Sequence, residues 1–400
     1  MMKYNIKWLL IGLFILLSGC SSEPMINLSE ENQAKIEEKR MQSEEIVKES
    51  QVEGSISESQ IESTINEAEQ SVASSIDSND WTRLPDETVL ELSNYLPFYP
   101  YQLKQFNNAT GMYTTYADYY DETNQKIQVR EIVGTESYVS VYQWDDAQVQ
   151  MTLRQEDIGL FENLLTANEQ ANDNVLTLLS APLTVGTTWL YDGTHHSEIL
   201  GLYETVTLND ETYTQVIETS TDFEDYELRQ YYAEAEGLIG MRYVKGADWT
   251  EDEEYWQVTS NTHQVMMVVN QRIAQTQTAG ETILALETVP MGYQTNDSMA
   301  RAFQRLFTEQ GWISQDITIN SLIVDENRVA TIDFSSGVVA AMNQHPSKEN
   351  GVIPAIVTTI GDFLDVSEVR LTVNQNGLLP DTLPYPPNGM YQINPSWLAN

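Results

Sequence analysis

The stretch RVATIDFSS, Arg328 to Ser336, admits two readings that lead to different proteins. As chemistry it offers an acid (Asp333), two hydroxyls (Ser335, Ser336) and a glycine (Gly337), close enough to be a nucleophile and its helper. As structure it is a β-strand handing over to a helix. On an extended chain Asp333 and Ser335 share one face, opposite Ile332 and Phe334, and Ser335 or Ser336 is placed to cap a helix over Val338–Met342. A nucleophilic serine wants a histidine base and usually a G-x-S-x-G elbow. No such elbow surrounds it, and His345 is the one histidine in this part of the chain. The strand is the better account, and it sets the pattern of its surroundings.

Upstream, DITINSLIVDENRVATIDFSS alternates twice around Asp325-Glu326-Asn327, as a hairpin does. Before it, TILALETVP is strand-like. Asn296, Asp297 or Ser298 can then cap a helix whose Met299, Phe303, Leu306 and Phe307 fall on one face, with Gly311 ending it. Downstream, the spacing predicts a helix over Ile353–Phe363 with Pro354 in its first turn, where a missing N–H costs little. SEVRLTVNQNG closes with another strand. The order strand, helix, two strands, helix, strand predicts a compact α+β unit over 280–380 with helices on one sheet face, and a proline-rich tail over 381–400.

The phrases SMARAFQRLF, RVATIDFSS, AIVTTIGDF and SEVRLTVNQNG fall in the order of the GerMN domain, the sporulation and spore-germination domain, and this part of the chain resembles it. Val329-Ala330-Thr331-Ile332-Asp333-Phe334-Ser335 fits that family's strand phrase, and Ile356-Val357-Thr358-Thr359-Ile360 its helix phrase. Val369 to Val373 with Asn376-Gly377 fits the last strand, asparagine replacing the usual aspartate. GWISQDITINS stands where the family carries a proline-containing stretch, so the loop after Gly311 departs from the pattern. The resemblance implies an envelope domain, often on lipoproteins, that works through protein–protein contacts rather than catalysis.

From Trp81 to about His263, short runs of β-forming residues follow one another: KIQVREIV, SYVSVYQW, QVQMTL, SEILGLYETVTLN, ETYTQVIETST and LRQYYAEAEGLIGMRYVK among them. Gly, Asn or Asp breaks each run, and Asn209-Asp210 joins two at hairpin spacing. Residues 81–265 are predicted to form one β-rich antiparallel domain, a sandwich or a curved sheet. DIGLFENLLTANEQANDNVLTLLSAP, between two runs, could hold a short helix. The phrases APLTVGTTWLYDG and YYAEAEGLIGMRYV resemble those of extracytoplasmic β domains in bacterial lipoproteins, which carries no activity.

Before Trp81 the composition changes. Residues 20–80 are dominated by Ser, Glu, Gln and Asn, with isolated apolar residues too sparse for a heptad seam, and are expected to be a disordered acidic tether. A coiled coil formed only with a partner is the less favoured alternative. MMKYNIKWLLIGLFILLSGC has Lys3 and Lys7, an apolar run from Trp8 to Leu17 and then Leu17-Ser18-Gly19-Cys20. It reads as a signal peptide over 1–19, too short for a comfortable span. Its ending resembles the lipobox of bacterial lipoproteins, which implies acylation of the Cys20 sulfur and cleavage before it. Cys20 is the single cysteine, so disulfides within the chain are excluded. An ordinary signal peptide with an incidental cysteine is the weaker alternative.

Sixty acidic residues against twenty basic give a formal charge of −40, which excludes nucleic acid as a partner. Such acidity serves solubility outside the cell more readily than specific cation binding. Asp192, His195, His196 and Glu198 put metal-capable groups within seven residues, but adjacent histidines on a strand diverge, so a solvated turn is expected. TDFEDYE and TEDEEYW lack calcium-loop spacing. FYPYQ, MYTTYADYYD and YYAEAE suit sugar stacking and suit a β core still better. P-loop, dinucleotide-glycine and HExxH motifs are absent from the sequence.

The expected fold class is therefore α+β overall, with no cofactor, metal or catalytic set. The expected function is a non-enzymatic lipoprotein, anchored through Cys20 on the extracytoplasmic face of a Gram-positive-type membrane, that docks envelope proteins. The alternative is a binding protein for cell-wall glycan or solute through the aromatic β domain. A hydrolase of envelope polymer is third, because no acid/base pair stands out.

Overall fold

The computed structural model describes residues 81–108, 111–134, 136–156, 158–166, 175–208, 211–245, 253–262, 266–276, 284–343, 346–377 and 389–398. The predicted leader, Cys20 and the tether lie outside these residues, as do 381–388 of the predicted tail. The chain divides into two units between Val265 and Met266.

The first unit is built from strands β1 (Thr82–Arg83), β2 (Leu103–Asn108), β3 (Gly111–Asp121), β4 (Lys126–Val133), β5 (Glu136–Trp144), β6 (Gln148–Glu156) and β7 (Leu176–Ser180). It continues with β8 (Thr188–Leu190), β9 (His196–Leu208), β10 (Glu211–Asp222), β11 (Tyr226–Ala233), β12 (Gly237–Lys245) and β13 (Glu253–Thr262). All thirteen belong to one antiparallel sheet, ordered β1-β9-β10-β11-β12-β13-β2-β3-β4-β5-β6-β7 with β8 beside β9. Its two ends meet: the Thr177 N–H of β7 donates to Tyr191 O at 2.6 Å, directly after β8, and the Trp189 indole donates to Thr177 O at 2.8 Å. The sheet thus curls on itself around a single core that includes Phe106, Ile127, Val149, Leu179, Ile199, Leu202, Ile217, Tyr232 and Ile239. No helix occurs in 158–166 or in 175–182, where β7 runs; 157 and 167–174 of the stretch expected to hold one lie outside the described residues.

The second unit opens with a hairpin, β14 (Met267–Thr276) and β15 (Leu284–Tyr293). Helix α1 (Met299–Glu309) follows, with Ser298 as its N-cap: the Ser298 hydroxyl accepts the Arg301 N–H at 3.3 Å. It buries Ala302, Phe303, Leu306 and Phe307, and Gly311 leaves it with φ of +68°. Strands β16 (Ile319–Val324) and β17 (Val329–Phe334) form the hairpin around Asp325-Glu326-Asn327. Helices α2 (Gly337–Asn343) and α3 (Pro346–Leu364) cross over to β18 (Glu368–Val373), which runs parallel to β17. Two short strands complete the sheet, β19 (Asn376–Gly377) and β20 (Met390–Gln392), both paired with β18.

Helix α3 is longer than the sequence suggests, so Pro354 lies in its interior rather than its first turn. An interior proline costs about 3 kcal/mol. The helix tolerates it because every residue from Gly351 to Ile360 is buried, and a helix apolar on all sides belongs inside. Polar contacts also tie it to β14: the Ala274 N–H donates to Thr359 Oγ1 at 2.9 Å and Arg272 Nε donates to Asp362 Oδ2 at 2.8 Å.

The fold class is corrected here. Strands account for 55% of the structure and helices for 14%, with three α-helices among the described residues, all in the second unit. The chain is β-dominated rather than α+β. The expectation gave the helices after residue 298 the weight of the whole chain, whereas the thirteen-stranded sheet sets the balance. It also left β14 unread, because the polar Gln271 occupies a buried position and breaks the apolar alternation. Among the described residues no helix is long and apolar enough to cross a membrane.

Candidate functional site

Strand β17 places Asp333 as the sequence suggests, on the sheet face opposite Ile332 and Phe334. Its carboxylate is buried, and three donors surround it. Thr372 Oγ1 of β18 donates at 2.6 Å, Asn320 Nδ2 of β16 at 2.8 Å and the Gln375 N–H at 2.7 Å. Burial pushes the Asp333 carboxyl up, but these hydrogen bonds outweigh it and hold the group below the usual carboxylate range. Asp333 therefore ties three consecutive strands and the turn at Asn374-Gln375, where both residues have positive φ. An acid so occupied is a brace.

Ser335 departs from the expected cap. Its hydroxyl accepts the Thr318 N–H at 3.0 Å while its own N–H donates to Thr318 O at 2.9 Å, a reciprocal pair that closes the end of the β16–β17 ladder. The first turn of α2 is met instead through the Ser335 carbonyl, which accepts the Val338 N–H at 3.3 Å. His345 lies outside the described residues. Beside α1, the buried Asp297 holds Arg301 at 3.2 Å and pairs with Arg305, whose guanidinium also reaches Gly292 O at 2.9 Å.

In the first unit, the seven residues from Asp192 to Glu198 form a turn. Asp192 Oδ1 accepts the Thr194 N–H, the Thr194 hydroxyl and the His195 N–H at 2.8 to 3.0 Å, and its Oδ2 meets His195 Nδ1 at 2.8 Å. Burial raises the Asp192 carboxyl, but these hydrogen bonds together lower it by more, for a net downward shift. His196 and Glu198 stand exposed on β9 and do not join the pair. Of the acidic runs, Glu227 binds Arg229 at 2.7 Å, while the side chains of 250–257 lie outside those described. Among the described residues no three His, Cys, Asp or Glu side chains converge.

The tyrosine and tryptophan clusters go largely to the core. Tyr95, Tyr116 and Tyr232 are fully buried. Phe106 stacks on Tyr113 at 4.7 Å, Tyr120 on Trp144 at 6.1 Å and Phe223 on Tyr226 at 4.8 Å. Trp81 stands edge-on to Tyr203 and Tyr231. Those two phenols donate to the buried Glu218 at 2.7 and 3.1 Å, and the Tyr203 ring lies so close over Gly201 that a Cβ there would meet its oxygen at 2.8 Å.

A buried ion pair and a buried lysine escape the sequence. Arg130 on β4 and Asp118 on β3 pair at 2.8 Å with both side chains under 5% exposed; Arg130 also donates to Ile158 O at 2.7 Å and Gly159 O at 3.1 Å. Lys104 on β2 points into the curled sheet beside Phe106. Its ammonium donates to Glu236 O and, at 3.0 Å, to Leu238 O, and lies 5.9 Å from the Phe98 ring centre. Burial, opposed by the nearby Glu236, pushes this amine down to about 7. It lies beside Gln102 and Thr115, whose Oε1 and Oγ1 are buried and have no hydrogen-bond partner. The available signal was positional: in QLKQF, Gln102, Lys104 and Phe106 share one strand face.

Residues 261–378 match the model of the Germane family, described as sporulation and spore germination, so the second unit carries a GerMN-type domain. The match begins ahead of β14, and the hairpin β14–β15 belongs to it. No curated protein and no solved structure matches the chain.

Proposed function

We propose that this chain is a lipid-anchored envelope protein, related to sporulation or germination, whose second unit docks other envelope proteins without catalysing a reaction. The observation that carries this reading is the family match over 261–378. Within that unit Asp333 and Ser335, the residues that most suggested chemistry, are spent on joining strands. The Leu-Ser-Gly-Cys ending at Cys20 supports the anchor. The alternative, glycan or solute binding through aromatic side chains, has less behind it. Among the described residues Tyr101 is the one strongly exposed large aromatic.

Crosslinking of the chain in its native envelope, followed by identification of the captured proteins, tests docking. Specific envelope proteins are expected, and retention on wall glycan with no protein captured would defeat the reading. Palmitate labelling of wild type and Cys20→Ala tests the anchor, with label expected in wild type alone.

A further inference from the structure

The five-stranded sheet of the second unit ends on β16, which among the described residues has β17 as its one sheet neighbour. The Asp325 N–H bonds to Val329 O at 3.0 Å, so by antiparallel alternation Ser321 and Ile323 face β17 with their backbones. Leu322 and Val324 therefore turn their N–H and C=O groups outward. Nearer the strand start the edge is closed by α1: Gln304 Oε1 accepts the Ile319 N–H at 3.1 Å.

Proteins usually defend such an edge with lysine, proline or inward charge. Here Ile319 to Val324 carries no charge, in a chain of formal charge −40, and presents Ile323 at 59% and Val324 at 42% exposure, one on each sheet face. Acids flank it. Asp316 precedes it, Asp325 and Glu326 follow it, and all three are exposed. An occupant of this edge meets two outward backbone rungs, an apolar centre and negative charge at both ends.

We propose that β16 receives an extended segment of a partner protein, apolar at its centre and carrying Lys or Arg at both ends, which adds a strand to this sheet. This rests on the docking reading above and names the partner's chemistry. Backbone rungs supply affinity in strand addition, while side chains and end charges supply selection.

The test uses two fluorescein-labelled peptides with the same β-forming centre, one flanked by lysines and one by glutamates, titrated into the purified chain by anisotropy. The lysine-flanked peptide is expected to bind at least tenfold more tightly. Val324→Pro, which removes an outward N–H that no ladder bond uses, is expected to weaken it at least tenfold with the circular dichroism spectrum unchanged. Asp316→Lys with Glu326→Lys should transfer preference to the glutamate-flanked peptide, a result that does not depend on the proline variant folding. Equal binding of both peptides, binding of neither, or unaltered binding by Val324→Pro would overturn the proposal. If Val324→Pro still captures the envelope partners of wild type, docking stands and strand addition falls.

Discussion

The two units manage the edges of their sheets in opposite ways. In the first, β7 and β8 are drawn together by the bonds from Thr177 and Trp189, and β9 has its far edge covered by β1 and β8. In the second, α1 covers only the start of β16 and leaves Leu322 and Val324 facing outward. Closure removes aggregation-prone edges but makes an interior in which every charge needs a partner. The first unit accordingly holds Arg130, Asp118, Glu218 and Lys104 inside, each hydrogen-bonded. An open sheet keeps its critical acid, Asp333, at a strand junction and has a rim left for contact.

The contrast is broken hardest by disturbing the closed interior. Arg130→Met strands the Asp118 carboxylate and frees the carbonyls of Ile158 and Gly159. Losing one partner of a buried pair costs about 3–5 kcal/mol. Hydrogen exchange should show lost protection across β3 to β6 and none across β16 to β18. Equal loss in both units would mean that the pair does not act locally.

Lys104 gives a smaller effect with a signature in pH. Its folded pKa, about 7, lies below that of an unfolded lysine, so between those values the unfolded chain binds more protons and stability rises with pH. From pH 7 to 9 the gain should be on the order of 2 kcal/mol, at about 1.4 kcal/mol per unit shifted. Buried tyrosines such as Tyr113 and Tyr232, whose hydroxyls are pushed up, oppose this only nearer pH 10. Urea unfolding of wild type and Lys104→Met across this range decides it. The variant should be flat, and a flat wild type would show that the amine stays charged.

These charges mark where the sequence stops being legible. Local signals carried well: the Ser298 cap, the face formed by Phe303, Leu306 and Phe307, and the turn at Asp325-Glu326-Asn327 are set by neighbours within a few residues. What failed depends on distant chain. β14 buries Gln271 because α3 and β15 pack against it, and Pro354 survives inside α3 because that helix is enclosed. Lys104 is buried because β12 and the turn before it, well over a hundred residues on, bring carbonyls to its ammonium. The candidate site was half legible. Asp333 and Ser335 stand where their strand implies, but their partners Thr372, Gln375 and Thr318 come from pairings that no short window contains.

Asp333→Ala tests the brace in the open sheet. It leaves the donors on Thr372, Asn320 and Gln375 unmet, at a cost of about 2 kcal/mol. Because the folded carboxyl lies below its unfolded value, the stabilisation is complete above about pH 4 and fades as pH falls through the folded pKa. Wild type should lose second-unit protection on that acid side, and Asp333→Asn should lose less there. Matching acid profiles would remove Asp333 as the cause.

The smallest effect on stability is the sharpest test of the comparison, because it asks whether one residue faces a neighbour or nothing. Proline at 324 removes an N–H that by register points away from β17, so no ladder bond is lost and the fixed φ is tolerable on an edge strand. Its cost should be within about 1 kcal/mol. One residue earlier the register reverses: Ile323→Pro removes an N–H aimed at Thr331 and should cost about 3 kcal/mol. The alternation itself is what is measured by thermal unfolding of the pair. A closed sheet has no such alternation to show, since every central strand of the first unit, Val129 on β4 for instance, is bonded on both sides and should reject proline at successive positions. If 323 and 324 responded alike, β16 would be covered on both sides, and the difference between the two units would vanish at the one place where it matters for binding.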